Sequence, residues 1–208
     1  MPSTVAFPPG YKIAGFEGGE LVVDTGALDA AAGHDRAFAA NRRELARTGG
    51  GHRELAEAAS LGEFLSRHVA ALAADRYLPR EWPPAMAARA RMICVGDLAR
   101  VAGAADTSPL PFAVLVADWY RLRKGRELAH RHIPAARLAR YRDLAAAFSG
   151  RAWPEASAEA WIAGFLRMLA SYLDGPPSGD FAIDLATGEV RARRGYRGRT
   201  ERRQTGAA

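Results

Sequence analysis

The sequence predicts a mainly α-helical protein: a single-core bundle of about six helices with a small antiparallel β element from an N-terminal and a C-terminal hairpin. Three observations predict this fold class. Apolar residues recur at helical spacing through the middle of the chain. Capping residues, prolines and glycines divide that region into segments of helix length. Near both ends of the chain, apolar residues instead alternate with period two around turns that contain glycine.

The first predicted element is a hairpin over residues 11–24, YKIAGFEGGELVVD. Its two alternating runs flank Gly18 and Gly19, which can take the positive φ angles of a tight turn. The register that places apolar side chains on one face pairs Phe16 with Leu21 and Ala14 with Val23. The same register sets two glutamates opposite each other, which is unfavourable, so we expect a looser EGGE loop.

Two helices follow in the first half of the chain. The first covers residues 35–47 and ends at a run of three glycines. Ser60 and Glu63 then form a capping box, in which each side chain accepts a hydrogen bond from the other residue's backbone N–H. The helix that they begin is expected to stop at Pro79.

The middle of the chain predicts two more helices. One covers residues 85–101, with Cys94 and Asp97 in its interior and Gly103 at its C-terminal cap. Ser108 is the expected N-cap of the next. The stretch FAVLVADWYRL is apolar almost all round, which is typical of the most buried helix of a bundle.

Two further helices, over residues 134–148 and 155–173, complete the bundle, and a second hairpin over residues 181–194 follows the break GPPSG. A two-residue turn at Thr187 and Gly188 sets its register. That register pairs Leu185 with Val190, pairs Ile183 with Ala192, and sets Asp184 opposite Arg191.

Length and composition predict one domain, residues 1–194, followed by a basic disordered tail at residues 195–208. The single cysteine excludes an intramolecular disulfide, and no apolar run approaches the ~18 residues of a membrane span. With no secretory layout at the N-terminus, we expect a cytoplasmic protein without membrane contact. Lys12 and Lys124 are the two lysines among 29 basic residues, and arginine and alanine enrichment is typical of a bacterial-like, GC-rich genome.

Two acids are the candidate catalytic residues. Asp118 lies in the apolar helix, and Asp97 lies one turn after Ile93 and Cys94. A buried carboxylate must be paired or protonated, so each is either a structural acid bound to an arginine or tryptophan or an acid or base in catalysis. No metal site and no cofactor are expected, because His130 and His132 point apart on a helix and the glycine runs lack a phosphate-binding pattern.

The function predicted from these features is that of a non-enzymatic accessory or adaptor protein. A helical bundle does not need two hairpins, and a small sheet leaves an edge that can accept an extended segment of a protein or peptide partner as an added strand. The residues expected to bind that partner are the apolar ones of the hairpins: Phe16, Leu21, Val23, Phe181 and Ile183.

Two alternatives stay open. Residues 189–208 carry seven arginines and two glutamates, a net charge of +5, so the C-terminus could bind nucleic acid through phosphate contacts and stacking. The residues concerned are Arg194, Tyr196, Arg197, Arg199, Arg202 and Arg203. The other alternative is a small cytoplasmic enzyme, or an enzyme subunit, that uses Asp97 or Asp118.

Overall fold

The computed structural model describes residues 7–28, 33–48, 55, 57–173 and 180–193. Over these ranges the chain is mostly helical, with one four-stranded antiparallel sheet. The predicted fold class is therefore confirmed at this level, and the two hairpins pair with each other. None of the helices in the described ranges is long and apolar enough to cross a membrane. The predicted tail lies outside them.

The sheet has the order β1-β2-β3-β4, which is also the order along the chain. Its strands are β1 (Gly10–Glu17), β2 (Glu20–Ala27), β3 (Phe181–Asp184) and β4 (Val190–Ala192). Strand β2 pairs with both β1 and β3, which leaves β1 and β4 at the two edges.

The described helices lie between the two hairpins. They are α1 (His34–Thr48), α2 (Leu61–Leu72), α3 (Leu78–Glu81), α4 (Pro84–Met92), α5 (Val95–Val101), α6 (Phe112–Gly125), α7 (Ala135–Ser149) and α8 (Ala158–Leu173). A π-helical turn over Ala73–Tyr77 joins α2 to α3, and a 3-10 segment over Arg126–His132 follows α6.

The first hairpin has the predicted register, but its turn is tighter than expected. Phe16 lies opposite Leu21, and Gly18 and Gly19 take φ angles of 56° and 87° in a two-residue turn. Glu17 and Glu20 therefore face each other directly, and the predicted looser loop is wrong. The reason is that Glu20 binds the Arg191 guanidinium, with Nε to Oε1 at 2.9 Å, so its charge is compensated from the second hairpin.

The second hairpin is shifted by two residues from the predicted register. Ile183 lies opposite Val190 instead of Ala192, and Arg191 lies opposite Ala182 instead of Asp184. The Asp184 carboxylate accepts the N–H groups of Ala186 and Thr187, both at 2.8 Å, so the chain turns directly after β3. These two hydrogen bonds lower the pKa of Asp184, and the bond from the Thr187 N–H has the larger effect. A local side-chain turn thus replaces the two-residue turn.

The predicted helix 85–101 is two helices, because its middle makes other backbone bonds. Cys94 is extended, with φ −107° and ψ 169°, and forms an antiparallel bridge with Pro111. The N–H of Val95 donates to the Leu110 carbonyl at 2.8 Å, which ends the first helix and begins the second. Ser108 is not an N-cap, since its hydroxyl accepts the N–H of Leu110.

The predicted stop at Pro79 is also wrong. The π-helical turn Ala73–Tyr77 intervenes, and Pro79 then falls in the first turn of α3. A proline is tolerated there because a first-turn N–H has no helical acceptor. The chain leaves the helix at Trp82, whose φ and ψ are −103° and 148°.

Helix α6 is the most buried helix, as predicted from its composition: 10 of its 14 residues are buried. A cluster of aromatic rings surrounds one side of it, with ring centroids 4.6 to 6.2 Å apart. Its members are Trp82, Phe112, Trp119, Trp161 and Phe165. Phe7 is buried in the same hydrophobic cluster, so the chain runs from the core directly into β1.

We expect the second hairpin to stabilise the whole chain, because it adds strands to β2 and buries Ala182 completely. A chain ending at residue 179 should melt lower than the full chain by more than about 5 °C, since each kcal/mol lost shifts the melting temperature of a chain this long by roughly 2–4 °C. A chain ending at Gly195 keeps both hairpins and should melt with the full chain. Equal melting temperatures for the two truncations would contradict the pairing of β2 with β3. Differential scanning calorimetry gives the comparison.

Candidate functional site

One face of the sheet is apolar from edge to edge. In antiparallel strands, residues opposite each other lie on the same face, and this face alternates with the other along each strand. On one face, beside Lys12 and Thr25, the register places a continuous set of apolar residues, called here the apolar face: Ala14, Phe16, Leu21, Val23, Phe181, Ile183, Val190 and Ala192. All five residues predicted to bind a partner lie on it.

Much of the apolar face is accessible at its edges. Phe16 on β1 is 77% exposed and Val190 on β4 is 63% exposed. Leu21, Phe181 and Ile183 are partly buried, and Val23 is buried. The strands of the sheet make their main contacts with one another, so the sheet lies at the side of the helical body.

Strand β1 has backbone groups that point away from the sheet. A two-residue turn makes Glu17 and Glu20 a hydrogen-bonded pair, and such pairs alternate along an antiparallel ladder. The N–H and C=O groups of Lys12, Ala14 and Phe16 therefore point outward from the edge. Within the described residues, β1 pairs with β2 alone.

The lysine on this strand does not block the edge. Edge strands of natural sheets often project a lysine that prevents further pairing. Here the Lys12 ammonium folds over the sheet, donates to Thr25 Oγ1 at 2.8 Å, and lies 5.5 Å from the Phe181 ring centroid. Ile13, on the other face of β1, is 60% exposed. The β1 edge thus has one exposed apolar side chain on each face, Phe16 on one and Ile13 on the other.

Asp118, the first of the two predicted acids, is fully buried in α6 and paired. Its Oδ1 accepts from Arg121 Nη1 at 2.5 Å, and its Oδ2 accepts from Tyr141 Oη at 2.7 Å. Arg137 Nε lies 3.3 Å from Oδ2 as an ion pair that is not aligned as a hydrogen bond. Arg121 Nε donates to the Ser66 carbonyl at 3.1 Å. The carboxylate therefore connects α2, α6 and α7.

These contacts are those of a structural acid. A substrate could reach the carboxylate only by displacing the Tyr141 hydroxyl or a guanidinium group, because Asp118 has no exposed surface. Burial is the main cause that raises the pKa of the Tyr141 hydroxyl, and the negative charge of Asp118 is the second. The hydroxyl therefore stays protonated and donates to Asp118.

Asp97 is not in the interior of a helix, as the sequence predicted, but in the first turn of α5. Its Oδ2 accepts the Cys94 N–H at 2.9 Å and the Cys94 thiol at 3.0 Å, and its Oδ1 accepts from Arg100 at 3.1 Å. The bond from the Cys94 backbone is the main cause that lowers the pKa of Asp97. Because Asp97 accepts the N–H of the N-cap residue Cys94, it caps the N-terminus of α5. Its side chain is 40% exposed.

The described ranges contain no group of three histidine, cysteine, aspartate or glutamate side chains that could hold a metal ion. His130 Nε2 lies 3.0 Å from the Tyr172 carbonyl, to which it donates, and His132 packs against the Phe7 ring. The two histidines thus have separate structural contacts.

Five arginines of the helical body make internal contacts, which weakens the nucleic-acid hypothesis. A nucleic-acid-binding surface would need several of these arginines exposed to solvent beside the basic tail. Instead Arg89 pairs with Glu159 at 3.1 Å and Arg140 with Asp106 at 2.8 Å, while Arg137 faces Asp118. Arg91 and Arg142 donate to the carbonyls of Ala74 and Leu173. The predicted contacts Arg194, Tyr196, Arg197, Arg199, Arg202 and Arg203 lie outside the described residues.

The candidate functional site is therefore the β1 edge together with the apolar face that continues from it. No protein-family model, curated protein or solved structure gives a match to this chain. The sheet carries exposed apolar side chains on both of its edge strands, Phe16 on β1 and Val190 on β4.

Replacing Asp118 should destabilise the protein strongly. Asp118→Ala leaves the buried Arg121 guanidinium without its anion, so we expect a loss of about 3–5 kcal/mol in the free energy of unfolding. Tyr141→Phe, the matched control, removes one donor and should cost about 1–2 kcal/mol. Urea unfolding followed by circular dichroism measures both. A loss below ~1 kcal/mol for Asp118→Ala would refute the structural role.

Stability should also fall at alkaline pH because of Tyr141. Its folded-state pKa is raised above the ordinary value of 10.0, so the unfolded chain loses this proton first. The stabilisation is complete below pH 10 and falls above it by up to ~1.4 kcal/mol per pH unit. Tyr141→Phe should flatten this decline in urea unfolding between about pH 9.5 and 11.5. If the free energy of unfolding fell with pH at the same rate in wild type and Tyr141→Phe, the Tyr141 hydroxyl would not be the cause of the decline.

Proposed function

We propose that this chain is a non-enzymatic accessory or adaptor protein that binds an extended segment of a protein or peptide partner by strand addition to β1. One observation carries the proposal: an eight-residue edge strand presents outward backbone groups beside an exposed apolar face. In strand addition, main-chain hydrogen bonds provide affinity, and alternate side chains provide specificity. Both kinds of contact are available at this edge.

The ends of β1 limit the length of the added segment. At one end Pro8 and Pro9 have no backbone N–H, and at the other the chain turns at Gly18. The strand between them offers room for an added strand of about seven residues. Its outward groups at Ala14 and Phe16 would form the ladder.

The side chains of β1 favour an apolar partner segment. Partner residues opposite Ala14 and Phe16 would extend the apolar face by one strand. Covering the exposed part of the Phe16 ring would contribute about 2 kcal/mol. Ile13 offers a second apolar contact on the opposite face of the added strand.

The other edge of the sheet and the two alternatives have less support. Strand β4 has three residues, which is short for a binding ladder. The enzyme hypothesis relied on Asp97 and Asp118, and both carboxylates are engaged by neighbouring donors. A single cysteine cannot form a disulfide within the chain, which is compatible with a reducing compartment. We therefore propose that the protein is cytoplasmic.

Selection from a displayed library of random peptides tests the proposal without knowledge of the natural partner. We expect wild-type protein to select peptides with apolar residues at alternate positions. Ala14→Pro should weaken their binding by at least about tenfold, because it removes an outward N–H and inserts a ring at the edge. It leaves the bonds between β1 and β2 in place, since the N–H of Ala14 points away from β2.

Ala14→Val is the matched control. It keeps the outward N–H and favours the extended backbone, so it should bind the selected peptides as the wild type does. Thermal melting of both variants confirms that the sheet is intact. Selected peptides that bind Ala14→Pro and wild type equally, or the selection of no peptide, would overturn the proposal.

A further inference from the structure

A cavity of about 370 Å³ lies between α5, α7 and the segment that follows α5. This volume is within the range of ~300–1,000 Å³ that is usual for small-molecule sites. Ala99 on α5 and Leu144 on α7 line the cavity and are buried, so its inner part is apolar. Ala136 and Ala139 on α7 also line it, and their short, exposed side chains leave it open to solvent. The cavity therefore has room for a small aliphatic group.

Three charged side chains line the same cavity: Asp106, Arg140 and Asp143. The Asp106 carboxylate is engaged, since its Oδ1 accepts the Ser108 N–H at 2.8 Å and its Oδ2 lies 2.8 Å from Arg140 Nε. This ion pair holds the Arg140 side chain beside the cavity. Within the described ranges, the two Nη groups of Arg140 have no hydrogen-bond partner, so their N–H groups are available to a ligand.

The third charged residue, Asp143, lies next to Arg140 but does not pair with it. The two are one turn apart on the same face of α7, with about 5–6 Å between their Cβ atoms, a spacing at which opposite charges often pair. Arg140 instead turns to Asp106. Asp143 is exposed, and in the part of the chain that the structure describes its carboxylate has no hydrogen bond or ion pair. A guanidinium with free donors thus lies beside an unpaired carboxylate.

This pair of charges beside an apolar cavity is complementary to an α-amino acid. The ligand carboxylate would accept hydrogen bonds from the Arg140 Nη groups, and the ligand ammonium would donate to Asp143. An aliphatic side chain would fill the cavity beside Ala99 and Leu144. A ligand with a carboxylate alone would leave Asp143 unpaired, and one with an amine alone would leave the Arg140 donors unused.

We infer that this cavity binds a free α-amino acid with an aliphatic side chain, held by Arg140 at its carboxylate and by Asp143 at its ammonium group. The site uses no residue of the sheet, so it is independent of the proposed strand addition. Residues of α5 and α7 both line the cavity, so the ligand would contact both helices. The protein would then carry a small-molecule site on its helical body as well as a peptide-binding edge.

Three probes that share one aliphatic group test the chemical class of the ligand. Leucine carries both charged groups, 4-methylpentanoate lacks the ammonium group, and isoamylamine lacks the carboxylate. In isothermal titration calorimetry, we expect leucine to bind the wild type with a dissociation constant below about 1 mM. Each of the other two probes should bind at least about tenfold more weakly, because each leaves one charged side chain without a partner.

Substitutions at the two charged residues test the position of the site. Asp143→Asn and Arg140→Gln should each weaken leucine binding at least about tenfold. Asp75→Asn is the matched control, because Asp75 is also an exposed aspartate but does not line the cavity, and it should bind leucine as the wild type does. Thermal melting without ligand checks that all three variants are folded.

Two kinds of result would overturn the inference. The first is the absence of binding when the wild type is titrated with alanine, valine, leucine and isoleucine, or binding of isoamylamine or 4-methylpentanoate as tight as that of leucine. The second is equal affinity of Asp143→Asn and the wild type for leucine, which would place the ligand elsewhere. Neither result affects peptide binding at β1, which Ala14→Pro tests separately.

Discussion

The pairing of β2 with β3 is the interaction that gives the chain its architecture. It joins segments more than 150 residues apart, and a polar contact holds each end. At one end the Arg191 guanidinium donates to the Glu20 carboxylate, and at the other the Thr25 N–H donates to Asp180 Oδ1 at 2.7 Å. Because β2 is paired on both sides, β1 must be an edge. The same pairing arranges the four strands side by side, so the apolar face is continuous from β1 to β4.

The helical body is held by a different constraint, the burial of a charge. Helix α6 is so nearly enclosed that Asp118 has no route to water, and its contacts with Arg121 and Tyr141 compensate the charge. Asp118, Arg121 and Tyr141 are thereby engaged in holding the helices together. In the described residues, buried polar side chains join the helices, and most of the exposed large apolar side chains lie on the two hairpins.

The sequence predicted those elements whose local pattern and tertiary contacts agree. Two glycines between alternating runs gave the register of the first hairpin, and an apolar stretch gave the buried helix α6. It failed where a distant segment or a side chain competes for the backbone. Cys94 leaves its helix to pair with Pro111, and the Asp184 carboxylate turns the chain early. Helical spacing and β propensity depend on the local sequence alone, so they cannot predict such bonds.

The site was predicted in part for the same reason. Alternation identified Phe16 and Ile183 as members of one face, and the shift of two residues in the second hairpin changed the partner of Val190 from Leu185 to Ile183 without moving it to the other face. The direction of the outward backbone groups depends on the turn, and the loose loop expected around Glu17 and Glu20 gave no basis for it. Amide hydrogen exchange of β1 tests the central claim most directly. The account predicts fast exchange at Ala14 and Phe16, and slow exchange at Ile13 and Gly15, which bond to β2. Equal protection of Ala14 and its neighbours would mean that the edge is already covered, and would contradict it.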